Sequence, residues 1–563
     1  MSFISRLLES VRPGSARPEP RTVRLENLES RTLLDAVWPG IDQDGDVLKV
    51  TLVGEGSMVV TQPAQRDLGN PGILKIELTD TEGCNTLLTI AVTRAGGDGK
   101  VNVGRITGGA NSGIHFLNAP TTNIVGTGTV VPNDPGGDDS GYGIDLQGYL
   151  RQMVIGDIRN GVDIWAKQTG VWYPDCAPSN FVIGNISADS DITLGSKLEK
   201  FVAASWAEGG VLDVKSVDAL TVNGNFAAGI QTLRAVGPVT VKGVIGGTAG
   251  KPATWNIPRD IGVVKTGSSN VYWSVASSGK IASLTSALGA LDYGTISAVS
   301  LGAVTSKAAF QGTSLVLSQV VDPGSPKLLA LGAVKATGMI AGNWNIEGHG
   351  GAIVAGATHG LWTVDFEGDV PSLTVNGQMA FSGFDANSLG ALTVKAGMNG
   401  GPMRLWRAPG PKPALGKVTV GLEMNTVYIR ATGNIGAVTA QSMVEAHIFA
   451  GVLASVNGFT GGNAASYFDQ VSSIASVTVK GKPGTVPSLR HSMYTSDIFA
   501  SNLGALKLFG PINSGGPNNV VGVTLKPINV TKPDNTKYTY VPGAIPQPNW
   551  PWDISNRVNV VDL

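Results

Sequence analysis

Two cysteines, Cys84 and Cys176, are all that 563 residues contain, too few and too far apart for a disulfide scaffold and without the CxxC or Cys/His spacing of a structural metal site. They read equally as one bridge or as two buried thiols, because free Cys packs as a small apolar residue. Charge is scarce too, at 15% of residues, and balances to −1, which leaves no electrostatic footprint for nucleic acid or an anionic membrane. No run of 18 or more apolar residues is present, arguing against a membrane-spanning helix. GxSxG, HExxH and P-loop patterns are also missing. What abounds is glycine, 76 residues, at a mean hydropathy of +0.12. That mixture describes an ordered, turn-rich β protein rather than a disordered chain.

One short phrase recurs: "SLGALTVKAG" at 388–397 has near-copies such as "DALTVNG" (218–224), "GPVTVKG" (237–243), "LGAVTS" (301–306), "PSLTVNG" (371–377), "LGKVTVG" (415–421) and "IASVTVKG" (474–481). Aligned on the central residue, the copies give Thr221, Thr240, Lys265, Thr285, Thr305, Lys335, Thr374, Thr393, Thr419, Thr439, Thr478 and Lys507. Two of the steps are 39 residues long and read as two units each, which makes thirteen steps of about 22 residues. A period that short is one supersecondary unit stacked on its neighbours. Leu392 and Val394 flank Thr393 in the alternation of a strand with one buried face, and β-branched residues with Gly at each boundary exclude a helix. Gly302, Gly390, Gly416, Gly436 and Gly504 are expected at corners that need permissive backbone angles.

The pattern predicts an all-β fold, a right-handed parallel β-helix or β-solenoid with coils of about 20 residues and a rod of roughly 60 Å. A β-propeller would need a period of about 40 to 50. Regular coils are expected over 216–512 and irregular ones over 85–215. A small β cap over 36–84 is expected to shield the open end. The Pro-rich stretch 513–563, with Trp550 and Trp552, reads as a C-terminal cap or tail.

Residues 1–35 differ in kind, with six Arg, no Lys, three Pro and no apolar core of a Sec signal. Within them "RLENLESRTLL" resembles the LExLExRxLL element of the LEPR-XLL family, found at the N-terminus of large exported and surface proteins of planctomycete bacteria. The matching positions are Leu25, Glu26, Leu28, Glu29, Arg31, Leu33 and Leu34; Ser30 stands where the family usually has Pro, and Asp35 where a small residue follows the Leu pair. The resemblance covers about a dozen residues. It implies an export or sorting segment and a location outside the cell or at its surface, and it brings no catalytic residues.

Few residues suggest chemistry. "DQDGD" sets Asp42, Asp44 and Asp46 two apart in a turn, a carboxylate density suited to calcium, although Gly45, Val47 and Val53 depart from the EF-hand pattern. The bland reading is a solvated turn. Gly-His-Gly at His349 resembles a triplet of polygalacturonases, themselves parallel β-helices, but the nearest paired carboxylates, Asp138 and Asp139, lie many coils upstream. His359, Asp365 and Glu367 could join His349 if adjacent coils align them. The Thr column is itself a candidate, a regular hydroxyl face that could match a repetitive polymer, though Thr is also the default for an exposed sheet face.

Together these features point to an exported structural or adhesion-type surface protein, a rigid solenoid presenting repeated side chains to polysaccharide or cell-envelope components. Two alternatives stay open: a polysaccharide-active β-helix lyase or hydrolase, and a calcium-dependent glycan-binding module. The enzyme reading calls for carboxylates, Lys or Arg on one face of neighbouring coils, which the aligned triplets do not supply.

Overall fold

The computed structural model describes residues 36–63, 71–81, 85–109, 112–127, 141–167, 179–319, 328–457, 464–481, 492–509, 518–532, 535–544 and 558–562. The motif at 25–34, both cysteines, Asp138, Asp139, Trp550 and Trp552 lie outside them.

Alternation dictates the local structure. In the triplets Leu220 and Val222, Leu373 and Val375, and Leu392 and Val394 are fully buried, while Thr221, Thr374 and Thr393 between them stay half-exposed. An isolated three-residue strand has no stability of its own, so each must pair. They pair in parallel, coil on coil: Thr221 with Thr240, Thr240 with Lys265, Lys265 with Thr285, Thr285 with Thr305, and Thr305 with Lys335. The result is a parallel β-solenoid. Among the described residues the one helical element is a 3-10 turn, Ala464–Tyr467.

The two 39-residue steps turn out to differ. Lys335 pairs with Val354 and Val354 with Thr374, so the first does hide an extra coil, spelled "IVA". Thr439 pairs directly with Thr478, so the second is one coil carrying a long excursion. From Thr221 to Lys507 there are thus twelve steps, not thirteen. The column also runs past both ends of the regular repeat. Upstream it passes through Val202, Val182, Val154 and Asn118 to Thr89. Downstream Lys507 pairs with Asn529, inside the stretch read as a tail. Eighteen strand spacings make a rod of roughly 85 Å, longer than the repeat alone suggested.

Antiparallel strands lie at both ends, and at the far one Val558–Asp562 also adds a parallel rung to Asn518–Gly522. β1 (Ala36–Ile41), β2 (Val47–Val53) and β5 (Leu87–Thr93) form one antiparallel sheet, and β3 (Ser57–Thr61) pairs antiparallel with β4 (Ile73–Thr79). β4 and β5 then hand over to parallel pairing with Val101–Gly108 and Ile114–Ala119. At the far end Ile528–Thr531 pairs antiparallel with Lys537–Tyr540. Both hairpins occupy edges that would otherwise template another chain.

The corner glycines do a different job from the one expected. None of Gly302, Gly390, Gly416, Gly436 and Gly504 has a positive φ. They stack directly on the backbone of the coil before: a Cβ at Gly390 would lie 2.5 Å from the Pro371 carbonyl oxygen, and at Gly302, Gly416, Gly436 and Gly504 it would overlap a carbonyl oxygen more closely still. Close approach, not left-handed geometry, selects glycine there.

Inside, a second ladder runs Leu212, Ile230, Trp255, Val275, Ile296, Leu315, Trp344, Val364 and Phe384. A third wall, a separate five-stranded sheet, stacks Met379, Met398, Met424, Met443 and Met493, all wholly buried. Burying one such side chain is worth about 1.5–3 kcal/mol against about 1 kcal/mol net for a strand hydrogen bond, so the inward ladders dominate the stability of each coil. Aromatic rings thread the core edge to face, Trp255 with Trp273 at 5.2 Å and 70°, Trp344 with Trp362 at 5.5 Å and 82°.

Candidate functional site

The β1–β2 turn gathers Asp42, Asp44 and Asp46 so that one carboxylate oxygen from each lies within 4.8 Å of the others. Gly45, at φ +97°, makes the turn. The Asp46 N–H donates to Asp42 Oδ1 at 2.7 Å. The loop at 95–99, "AGGDG", then wraps Asp46: the N–H groups of Ala95, Gly96 and Gly97 donate to Oδ1 at 2.8, 3.3 and 2.8 Å, and that of Gly99 to Oδ2 at 2.6 Å. These donors, Ala95 foremost, hold the Asp46 carboxyl down at about 2. Asp42 goes the other way, to about 6, pushed by burial and then by its hydrogen bond to Asp44. That same bond, with the Asp98 N–H at 2.9 Å, keeps Asp44 below the ordinary carboxylate range. Asp42 therefore holds a proton to higher pH than Asp44 or Asp46, while Asp46 pins the cap to the first coil. The Gly-rich nest was visible in the sequence as "AGGDG" but had no partner until the fold supplied one.

Along the Thr column every hydroxyl-bearing rung from Thr221 to Thr478 is half-exposed, whereas Lys265, Lys335 and Lys507 stand clear of the surface. Val354 interrupts the column. It is a regular face with a repeat of one strand spacing, about 4.8 Å.

The histidines do not assemble. His349 Nδ1 accepts from the Asp369 N–H at 2.9 Å and His359 Nδ1 from the Leu361 N–H at 3.1 Å, so each ring is tied to a separate stretch of backbone. Asp365 and Glu367 share the outward side of Thr363–Val370, both exposed.

A second outward column was hidden from alignment on the triplets because it lies on a different strand of each coil. Asn345, Asp365, Asp385, Arg404 and Arg430 occupy successive rungs of it. Burial pushes the Asp385 carboxyl up; Arg404, at 3.5 Å, opposes this and Asp365 adds to it. Beyond Arg430 the column turns apolar at Phe449, Phe499 and Val521. The excursion explains the change: Val452 and Tyr467 from it pack on those three in their own small core. Arg430 fastens the excursion, donating to the carbonyls of Val452 at 3.1 Å, Leu453 at 2.6 Å and Val456, with its guanidinium 4.9 Å from the Phe449 ring centroid. Between column and excursion lies a pocket of about 120 Å³ lined by Arg404, Trp406, Arg430, Thr432, Asp469 and Gln470. A wider groove of about 530 Å³ runs over the methionine sheet, lined by Gln378, Asn399, Leu422, Glu423, Asn425 and Gln441. The signal for the column was present as charged residues alternating in "TVDFEG", "GFDAN", "MRLW" and "VYIRAT", about one period apart, but without a shared phrase.

No family model, no curated protein and no solved structure matches this chain.

Proposed function

We propose that the chain is a structural or adhesion-type rod of an exported surface or matrix, whose work is mechanical and multivalent rather than catalytic. The observation that carries this reading is the unbroken run of Thr374, Thr393, Thr419, Thr439 and Thr478 on five successive rungs, which sets hydroxyls along one line at a fixed spacing. A polymer with a comparable repeat can engage many weak contacts at once, and avidity then exceeds any single contact. Calcium belongs to this reading as a bridge among Asp42, Asp44 and Asp46, supported by their convergence. The test is retention of the full chain on a panel of immobilised neutral and acidic polysaccharides. Changing Thr374, Thr393 and Thr419 together to Lys is expected to reduce retention; unchanged retention on every polymer would remove the Thr face from the reading.

A second reading, a polysaccharide lyase or hydrolase, is favoured by one observation. Asp365 and Asp385 face outward on adjacent rungs, one strand spacing apart as two carboxyls flanking a glycosidic bond would be, and burial raises Asp385. Turnover of the same panel, followed by new reducing ends and unsaturated products, decides between the two. No turnover is expected; activity abolished by Asp385→Asn would make the chain an enzyme.

A further inference from the structure

Arg404 and Arg430 stand side by side on adjacent rungs of one face, about 4.8 Å apart at the backbone. Like charges in that relation repel, and a sheet does not gain stability from such a pair. Arg430 is also half-buried, and burial together with the charge of Arg404 holds its pKa below the ordinary guanidinium value. The donors it spends on the excursion go to three neutral carbonyls, which orient the guanidinium without cancelling its charge. Arg404 reaches Asp385 at 3.5 Å, too long for a strong hydrogen bond, and remains 47% exposed. Two guanidinium groups thus line the pocket against one lining carboxylate, Asp469.

The pocket's other walls suit a sugar. Trp406 is 55% exposed beside the two arginines, an aromatic face left open in a walled recess. Such a face takes the C–H side of a pyranose ring, since a large apolar surface with a polar edge is what an amphipathic ring needs. Asp469 and Gln470 on the excursion side offer a carboxylate and an amide for hydroxyl groups. The volume of about 120 Å³ admits one ring rather than a chain segment. The excursion that makes this wall is also the longest described departure from the coil period on this side, and insertions into repeats collect on binding faces.

We infer that the recess between the Arg404–Arg430 column and the excursion binds one carboxylate-bearing sugar unit of an acidic polysaccharide, the arginines holding the carboxylate and Trp406 the ring. The inference goes beyond the rod reading and does not depend on the Thr column, so either can fail alone.

The test is calorimetric titration of the full chain with trimers of galacturonate, glucuronate, mannuronate and guluronate, alongside maltotriose and sodium acetate. At least one acidic trimer is expected to bind, with maltotriose and acetate at least tenfold weaker. Trp406→Ala and Arg404→Gln, both at exposed positions, are each expected to weaken that binding about tenfold or more while the circular-dichroism spectrum and melting temperature stay unchanged. No binding by any of the four acidic trimers would overturn the inference. So would binding untouched by both substitutions, or acetate or maltotriose binding as tightly as the acidic trimers.

Discussion

Asp42 and Asp46 lie four residues apart and titrate in opposite directions, because one is buried against another carboxyl and the other is ringed by amides. The sign of each effect on stability follows from linkage. Asp42 keeps its proton in the folded chain up to about 6 although its ordinary value is 3.8, so the fold binds more protons than the unfolded chain between those limits and stability falls as pH rises through them. Asp46 contributes stability that is present above the ordinary carboxylate pKa and is lost as pH falls towards about 2. Asp42→Asn mimics the protonated carboxyl, keeping an acceptor for the Asp46 N–H and offering a donor to Asp44. In chelator-treated buffer it should raise the melting temperature at pH 7.5 and leave it nearly unchanged at pH 4, where Asp42 is already largely protonated. If calcium bridges the three carboxylates, added calcium should raise the melting temperature of the parent and not of the variant. A second residue-scale expectation concerns the stacked corners. At Gly416 a Cβ would overlap the Gly390 carbonyl oxygen, so Gly416→Ala should cost about 1–3 kcal/mol, read as a lower urea midpoint, whereas the same change at exposed Gly410, with nothing closer than 4.0 Å, should be nearly neutral.

At the scale of the element, the methionine wall behaves as a core of adaptable side chains. Met424 sits between Met398 and Met443 with no exposure. Truncation by Met424→Ala should destabilise by about 2–5 kcal/mol, while Met424→Leu, nearly equal in volume, should cost less than about 1.5 kcal/mol. Hydrogen exchange of the amides at 398–400 and 442–444 checks this, since the loss should appear first in the neighbouring rungs. This wall was not legible in the sequence: its strands are two or three residues long and, Met379–Phe381 apart, bury a single apolar residue each, too little alternation to mark them. The Leu-Thr-Val strands were legible because each places two inward aliphatics around one outward residue. Val354 escaped because its outward residue is itself apolar. The second outward column escaped for another reason. Its rungs, Asp365, Asp385, Arg404 and Arg430, each lie eleven residues beyond a triplet centre, Val354, Thr374, Thr393 and Thr419, but the side chains change from acidic to basic along the column and share no phrase. The spacing of this column was therefore encoded by the same period as the triplets, and what hid it was the unlike chemistry of its rungs.

The whole molecule is quasi-one-dimensional, each coil held by the coils above and below it and hardly at all by distant ones. Its length is therefore adjustable in units of one coil and in no other unit. Thr374 and Thr393 are paired rungs, so removing residues 374–392 would carry Leu373 straight into Thr393 and Val394, restoring the buried-exposed-buried triplet opposite Ile353, Val354 and Ala355. The other walls close in step, with Met398 taking the place of Met379 and Met403 that of Phe384. That variant should keep its β-sheet circular-dichroism spectrum and a cooperative melt, lowered by a few degrees because one coil's inward ladder is gone. Removing only residues 374–383 joins Leu373 to Phe384 and sets a second-wall strand against the triplet column. Every rung beyond the junction then faces the wrong neighbour, and a one-residue error in register already exchanges inside for outside. That chain should lose the cooperative melt and aggregate through exposed strand edges. Equal behaviour of the two deletions would show that coil register does not govern the fold, and with it the regular outward columns would lose their structural basis.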